Sequence, residues 1–221
     1  MPADLEELPL FPLNTVLFPY AQLQLHVFEE RNQEMVRMCM EFDRPFGIVL
    51  IRESKDGGLH EPYLVGTAVR IMGMHEYTDG RLDIHVAGER RFRVREFDES
   101  RPYLVGKVEP VIELEFEESP ESEQLVMRAR EDCEMLVQRR FEQQGLSVRL
   151  AYHPDPVVLS FTIANLLPME TIEKQRLLEL TDTVERLRSL LPILAEQLIE
   201  MPKTGYTRLT PHELSEWIYP N

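Results

Sequence analysis

Residues 8–35 read LPLFPLNTVLFPYAQLQLHVFEERNQEM, and a change of period inside them sets the fold class. At 23–27, Leu-Gln-Leu-His-Val alternates strictly, which places Leu23, Leu25 and Val27 on one face of a strand and His26 on the other. Directly behind it the period lengthens. Met35, Val36, Met38, Cys39 and Phe42 are spaced as one stripe of a helix over 29–42, closed by Pro45. Residues 8–28 hold no formally charged side chain and are long enough to suggest a membrane span. Pro9, Pro12 and Pro19 break such a span, and Asn14, Gln22, Gln24 and His26 would enter lipid at a cost. The stretch is therefore a strand that feeds a helix.

Outward from it, the first half reads as β structure. Residues 46–51, FGIVLI, form a short continuous apolar run, as in a strand buried on both faces. Further strands are predicted over 64–72, 82–86, 91–95 (Phe97 falls out of phase), 103–108 and 112–117, where Ile112, Leu114 and Phe116 alternate with Glu113, Glu115 and Glu117. Asp79-Gly80 is a hairpin turn signal. After Pro120 the period becomes helical: Leu125, Val126, Ala129, Cys133, Leu136 and Val137 recur at helix spacing as far as Gly145. Asp155-Pro156 is an N-cap with proline at the first helical position, and that helix stops before Pro168. A short helix follows around 173–180. The last long one opens with Asp182 and Glu185 in capping-box spacing and repeats Val184, Leu187, Leu191, Leu194 and Leu198. Pro192 inside it predicts a kink. Thr210, Pro211 and Glu213 start a short final helix that carries Trp217.

The chain has 221 residues, 43% of them hydrophobic and 29% charged, an ordinary globular composition. Asp and Glu number 39 against 24 Lys and Arg, a formal net charge of −15. A field of that sign repels polyanions, so nucleic acid and membrane surfaces are poor partners for it. Cys39 and Cys133 sit far apart, each inside an apolar helical pattern, and read as buried free thiols. The acidic opening MPADLEEL lacks the basic start of a secretory signal, so a cytoplasmic location is expected.

The stretch 8–35 also resembles the opening of the N-terminal substrate-binding domain of the Lon family of ATP-dependent proteases: Leu-Pro-Leu-x-Pro-Leu, an apolar strand ending in Phe-Pro, then Leu-x-Leu and Phe-Glu-x-Arg. Val65-Gly66-Thr67-Ala68, Asp79-Gly80-Arg81 and Gly88-Glu89-Arg90-Arg91-Phe92-Arg93-Val94 are similar to the family's central hairpins. Residues 103–109, YLVGKVE, resemble the strand that follows, and Lys174-Gln175-Arg176-Leu177-Leu178-Glu179 with Arg186-Leu187 the closing helices. Two positions depart from the pattern. Tyr20 stands where glycine is common after Phe-Pro, and Asn32 where an aromatic is common after Phe-Glu-x-Arg. The resemblance implies an α+β chain: a PUA-like, antiparallel, barrel-like β subdomain with one helix over 1–118, a C-terminal helical bundle over 119–200, and a tail with a short helix over 201–221.

Catalytic, cofactor and metal signatures are not found. No two of the ten glycines lie five apart, so the phosphate-cradling GxxxxGK[ST] loop cannot be drawn. The four lysines, Lys55, Lys107, Lys174 and Lys203, stand in no context resembling the family's serine and lysine peptidase motifs. His60-Glu61, His75-Glu76 and His212-Glu213 each lack the second histidine of HExxH. The basic cluster Arg90, Arg91, Arg93 and Arg95 tempts an RNA reading. Alternation instead puts three of these on one face, opposite Phe92, for Glu113, Glu115 and Glu117 to neutralise if the strands are neighbours.

The reading is a free-standing, non-catalytic recognition module for unfolded or flexible polypeptide segments, bound between or beside the β subdomain and the helices. A separate protease or ATPase would be its partner, and no cofactor is expected. Tyr20, Tyr63, Tyr77 and Trp217, aromatics near turns, are the candidate peptide contacts. The alternatives are a PUA-like small-ligand or RNA-binding protein, and an enzyme whose residues meet only in the folded chain.

Overall fold

The structure, a computed structural model, describes residues 5–52, 61–142 and 153–200. Its elements run β1 (Glu6–Leu13), β2 (Gln22–Val27), α1 (Glu30–Glu41), β3 (Phe46–Leu50), β4 (Val65–Glu76), β5 (Leu82–Asp98), β6 (Val105–Pro110), α2 (Pro120–Glu142), α3 (Pro156–Leu166), α4 (Thr171–Glu179) and α5 (Thr183–Glu200). This is an α+β chain with one mixed six-stranded sheet. Two compact units divide it: Met1–Ile112 with Met169–Glu179, and Glu113–Pro168 with Leu180–Asn221. No helix among the described residues is long and apolar enough to cross a membrane.

In the first unit the strand order is β2-β5-β4-β3-β1-β6, and β6 pairs with β5 as well. β1 divides its pairing: Glu6 to Pro9 face β6 antiparallel, and Leu10 to Leu13 face β3 in parallel. Each half is paired on one side only, the setting in which a strand accommodates Pro9 and Pro12. β3 is buried along its whole length, as its unbroken apolar run requires. Leu8, Leu10, Val49, Ala68, Phe92, Val94 and Val108 form one core cluster. The Phe92 ring fits there because Gly47 faces it: a Cβ at Gly47 would lie 2.5 Å from Phe92 Cζ.

β5 joins what the sequence presents as two strands, 82–86 and 91–95, into one of 17 residues. Its pairings shift register between Ala68 and Val69 on the β4 side and between Val94 and Glu96 on the β6 side. The second irregularity is why Phe97 falls out of phase, since an extra residue reverses the faces of those behind it. Residues 111–119, by contrast, form no strand. Glu113 is engaged by Arg186 and the Leu114 N–H by the Thr181 carbonyl, so the alternation at 112–117 lines no sheet. In α1, Met35, Val36 and Cys39 are buried as expected, but Phe42, its C-cap, is exposed, while Asn32 and Gln33 are buried.

α4 belongs with the strands, whereas the sequence grouped it with the other helices. The Gln175 amide donates to the Val65 carbonyl (3.0 Å), and Arg91 donates to the Leu178 carbonyl at the end of α4 (2.6 Å).

In the second unit α5 packs against both α2 and α3. The Asp155 carboxylate accepts from the Val157 N–H at 2.8 Å, and Asp182 does the same for Val184 at 2.8 Å; both are the caps the sequence predicts. α5 continues through Pro192. Its buried positions are Thr183, Arg186, Leu187, Leu190 and Leu194, so the stripe is rotated from the one read through Val184, Leu191 and Leu198. Arg186 lies on that buried face. Fully buried, it donates to Ser160 Oγ (2.8 Å), the Leu180 carbonyl (2.6 Å), Glu113 Oε2 (2.9 Å) and Thr183 Oγ1 (3.1 Å), and its guanidinium lies 3.9 Å from the centre of the Phe161 ring. Gly145 and the final helix with Trp217 lie outside the described residues.

Candidate functional site

The β4–β5 hairpin supplies the most structured exposed chemistry in the first unit. Its turn is Tyr77-Thr-Asp-Gly80, closed by the Gly80 N–H to the Tyr77 carbonyl at 2.9 Å. Gly80 takes φ 88°, a left-handed conformation that glycine adopts without steric cost. The turn fixes the register behind it, which sets His75 opposite Asp83. On its other side β5 pairs with β2, and there His26 is opposite the same Asp83. Three strands thus place His26, Asp83 and His75 in one row.

Asp83 is the hub of that row. Its two carboxylate oxygens meet His26 Nδ1 at 2.6 Å and the Tyr77 hydroxyl at 2.6 Å. The hydrogen bond from Tyr77, then that from His26, hold its carboxyl below the usual carboxylate range. The same bond and the Asp83 charge push the Tyr77 phenol upward. Aromatic rings surround the carboxylate. His75 meets Tyr77 edge-on with centroids 4.8 Å apart, and His26 stacks with Phe28 at 6.4 Å. Phe28 is 65% exposed. The Arg81 guanidinium, paired with Asp79 at 2.7 Å, lies 5.7 Å from the centre of the Tyr77 ring. From α1, Arg37 bonds Glu76 (2.7 Å) and the Gly80 carbonyl (3.1 Å), which ties the turn to the helix.

This arrangement is suited to binding. Rings with one polar edge and a carboxylate already oriented by two donors offer apolar area and charge to a partner. Among the described residues no three His, Cys, Asp or Glu side chains group to hold a metal ion. His26 and His85, which the sequence allowed as neighbours across a sheet, are not opposite one another: His85 faces Gln24.

Of the predicted contact residues, Tyr77 lies in this cluster. Tyr20 stands at the other end of β2, where its N–H donates to the Gly88 carbonyl at 2.9 Å. Its φ is 65°, which gives a physical reason for the family's usual glycine. Tyr63 precedes β4 while Tyr77 follows it. That strand spans roughly 35–40 Å at about 3.3 Å per residue, so the two tyrosines are far apart. The Tyr63 ring carries the Arg52 guanidinium at 4.6 Å. Trp217 falls outside the described residues. His26, Phe28, His75 and Asp83 were not singled out as a site; the hairpin turn and the strand β2 were legible, but the register that sets His75 against Asp83 and the pairing of β2 with β5 were not.

The basic cluster is engaged elsewhere. Arg90 pairs with Glu6, Arg95 with Glu109, and Arg91 is buried against α4. Glu113, Glu115 and Glu117, offered by the sequence as its neutralising ladder, are not on a strand.

The family model for the ATP-dependent protease La (LON) substrate-binding domain matches residues 7–196. The Lon protease of Desulfovibrio desulfuricans is 30% identical over 82% of this chain and 21% of its own length. That of Escherichia coli K12 is 26% identical over 87% of this chain and 25% of its own. The chain thus spans about a quarter of the length of these curated relatives. A crystal structure of a Lon N-terminal domain protein from Xanthomonas campestris is 31% identical, with a TM-score of 0.61, covering 85% of this chain and 98% of that one. The N-terminal domain of Mycobacterium avium complex Lon protease, 19% identical with a TM-score of 0.66 over 86% and 99%, shares the fold. With 190 of its residues spanned by one family model, from 7 to 196, the chain belongs to the Lon substrate-binding domain family.

Proposed function

We propose that this chain recognises exposed, unfolded segments of other polypeptides and performs no chemistry on them, leaving any cleavage or ATP hydrolysis to a separate protease or ATPase. The observation that carries the reading is the solvent-facing cluster of His26, Phe28, His75 and Tyr77 around Asp83, in a chain whose family match covers the substrate-binding part of Lon alone. An aromatic surface with polar edges contacts many side-chain types at a low entropic cost. We read the ladder that returns from β6 to β5 as the small PUA-like barrel of the resemblance, and α2, α3 and α5 as its helical bundle. Tyr77, and Tyr20 at the far end of β2, are the tyrosines that flank the binding strand in this reading. The test is fluorescence anisotropy with a labelled unstructured peptide, a folded protein and a short RNA as competitors. Saturable peptide binding that unfolded chains compete for and the other two do not is expected. Absence of binding to unfolded chains, or tighter binding of RNA, overturns it.

A further inference from the structure

The recognition reading leaves open how a protein could hold segments of differing sequence, and the edge of β2 offers a means. β2 ends the sheet, paired with β5 alone. The Gly88 N–H donates to the Ala21 carbonyl at 2.8 Å. In an antiparallel ladder such bonded pairs recur at every second residue. Carried along the unbroken register from Gln22 opposite Ala87 to Val27 opposite Leu82, Leu23, Leu25 and Val27 therefore bond to β5. Gln22, Gln24 and His26 aim their N–H and C=O groups outward. None of those outward groups has a partner among the described residues, and the three side chains are exposed.

Native proteins protect such an edge with lysine, proline or a bulge. QLQLHV has no charged residue and no proline, and its pairing with β5 shows no register shift. The second stretch past a neighbour's end, residues 70–76 of β4, is protected: a bulge falls at Met72, and the Arg70–Asp43 and Arg37–Glu76 bridges tie it to α1 and the turn after it. Two strands of similar position are thus treated differently.

We propose that β2 takes an extended segment of another protein as an added strand, and that the segment is basic. This rests on the recognition reading and names its mode. Main-chain hydrogen bonds to Gln22, Gln24 and His26 would be indifferent to sequence, while alternate side chains of the guest would reach the row of His26, Asp83 and His75. Charge selects the occupant. Two copies of a chain carrying −15 repel one another, whereas a cationic guest is drawn by that field and meets, at the hairpin end of β2, three carboxylates, Asp83, Glu76 and Asp79, against two guanidinium partners, Arg37 and Arg81.

The test uses the whole chain and a short fluorescein-labelled peptide of alternating valine and lysine, with the same peptide N-methylated along its backbone. Gln24→Pro removes an outward N–H without touching the ladder to β5; Gln24→Thr keeps it. The proposal expects wild type and Gln24→Thr to bind the plain peptide alike, Gln24→Pro to bind it at least roughly tenfold more weakly, and the N-methylated peptide not to bind. The N-methylated peptide decides the matter even if Gln24→Pro fails to fold. Equal binding of both peptides overturns strand addition and leaves the recognition reading standing. No binding of any unfolded chain overturns the recognition reading and this one with it. A dimer in sedimentation that Gln24→Pro dissolves assigns the edge to a second copy and overturns the proposal.

Discussion

Tyr20 holds φ 65° with its side chain 42% exposed. A non-glycine residue in that region costs about 1 kcal/mol. Tyr20→Gly is accordingly expected to change stability in urea by no more than about 1 kcal/mol, relief of strain being offset by a freer unfolded chain. A loss well beyond that would make the ring a packing residue. Arg186 is the opposite case, a buried cation with each of its three nitrogens engaged. Arg186→Ala should lower stability by about 3–5 kcal/mol, read from urea midpoints, because it strands Glu113 and Ser160 together. Burial raises the Cys39 thiol from 9.0 to about 11. Folded Cys39 therefore keeps its proton where the unfolded thiol has lost it, and its contribution to stability is whole below pH 9 and lost as pH rises through 11. Cys39→Ala should flatten that part of the pH profile. At this scale the sequence made some pairings legible and others not. The Asp79-Gly80 signal announces the hairpin, but its loop has three residues, with the Tyr77 N–H donating to the Arg81 carbonyl, so His75 meets Asp83 rather than Ile84, and His26 reaches Asp83 across 57 positions, a separation no local pattern encodes.

Elements were legible where one period held throughout. The alternation of β2, the apolar run of β3 and the caps at Asp155 and Asp182 all mark their elements. Legibility failed where tertiary partners override the period. Bulges reverse faces within β5, so one strand resembles two. Residues 112–117 alternate like a strand but are drawn to Arg186 and Thr181 instead. The buried stripe of α5 includes an arginine that a hydrophobic pattern assigns to solvent. Two substitutions test the elements as described. Gly66→Ala sets a methyl 2.3 Å from the Ile48 carbonyl oxygen, and overpacking of this kind should cost about 1–3 kcal/mol in thermal or urea unfolding. Pro192→Ala restores an N–H to the interior of α5 and should stabilise the chain by about 1–3 kcal/mol; an unchanged midpoint would mean that the helix is shaped around its proline.

For the whole molecule, the change of period near Pro120 foretold strands followed by helices, and the structure has that order. The place of α4 with the strands was not foretold, because it rests on Gln175 and Arg91 finding backbone carbonyls far away in sequence. The net charge of −15 bears on the partner: binding of a cationic segment should weaken as salt rises from low to physiological concentration, where exposed charges become screened. The central claim is that unfolded polypeptide is held in the first unit, along β2 and the hairpin beside it. The measurement that reaches it most directly is nuclear magnetic resonance of the isotope-labelled chain titrated with the valine–lysine peptide. The account predicts that backbone amides of Gln22, Gln24 and His26 shift first, with those of Tyr77 and Asp83. Shifts confined to α2, α3 and α5, or no shifts at saturating peptide, would contradict it.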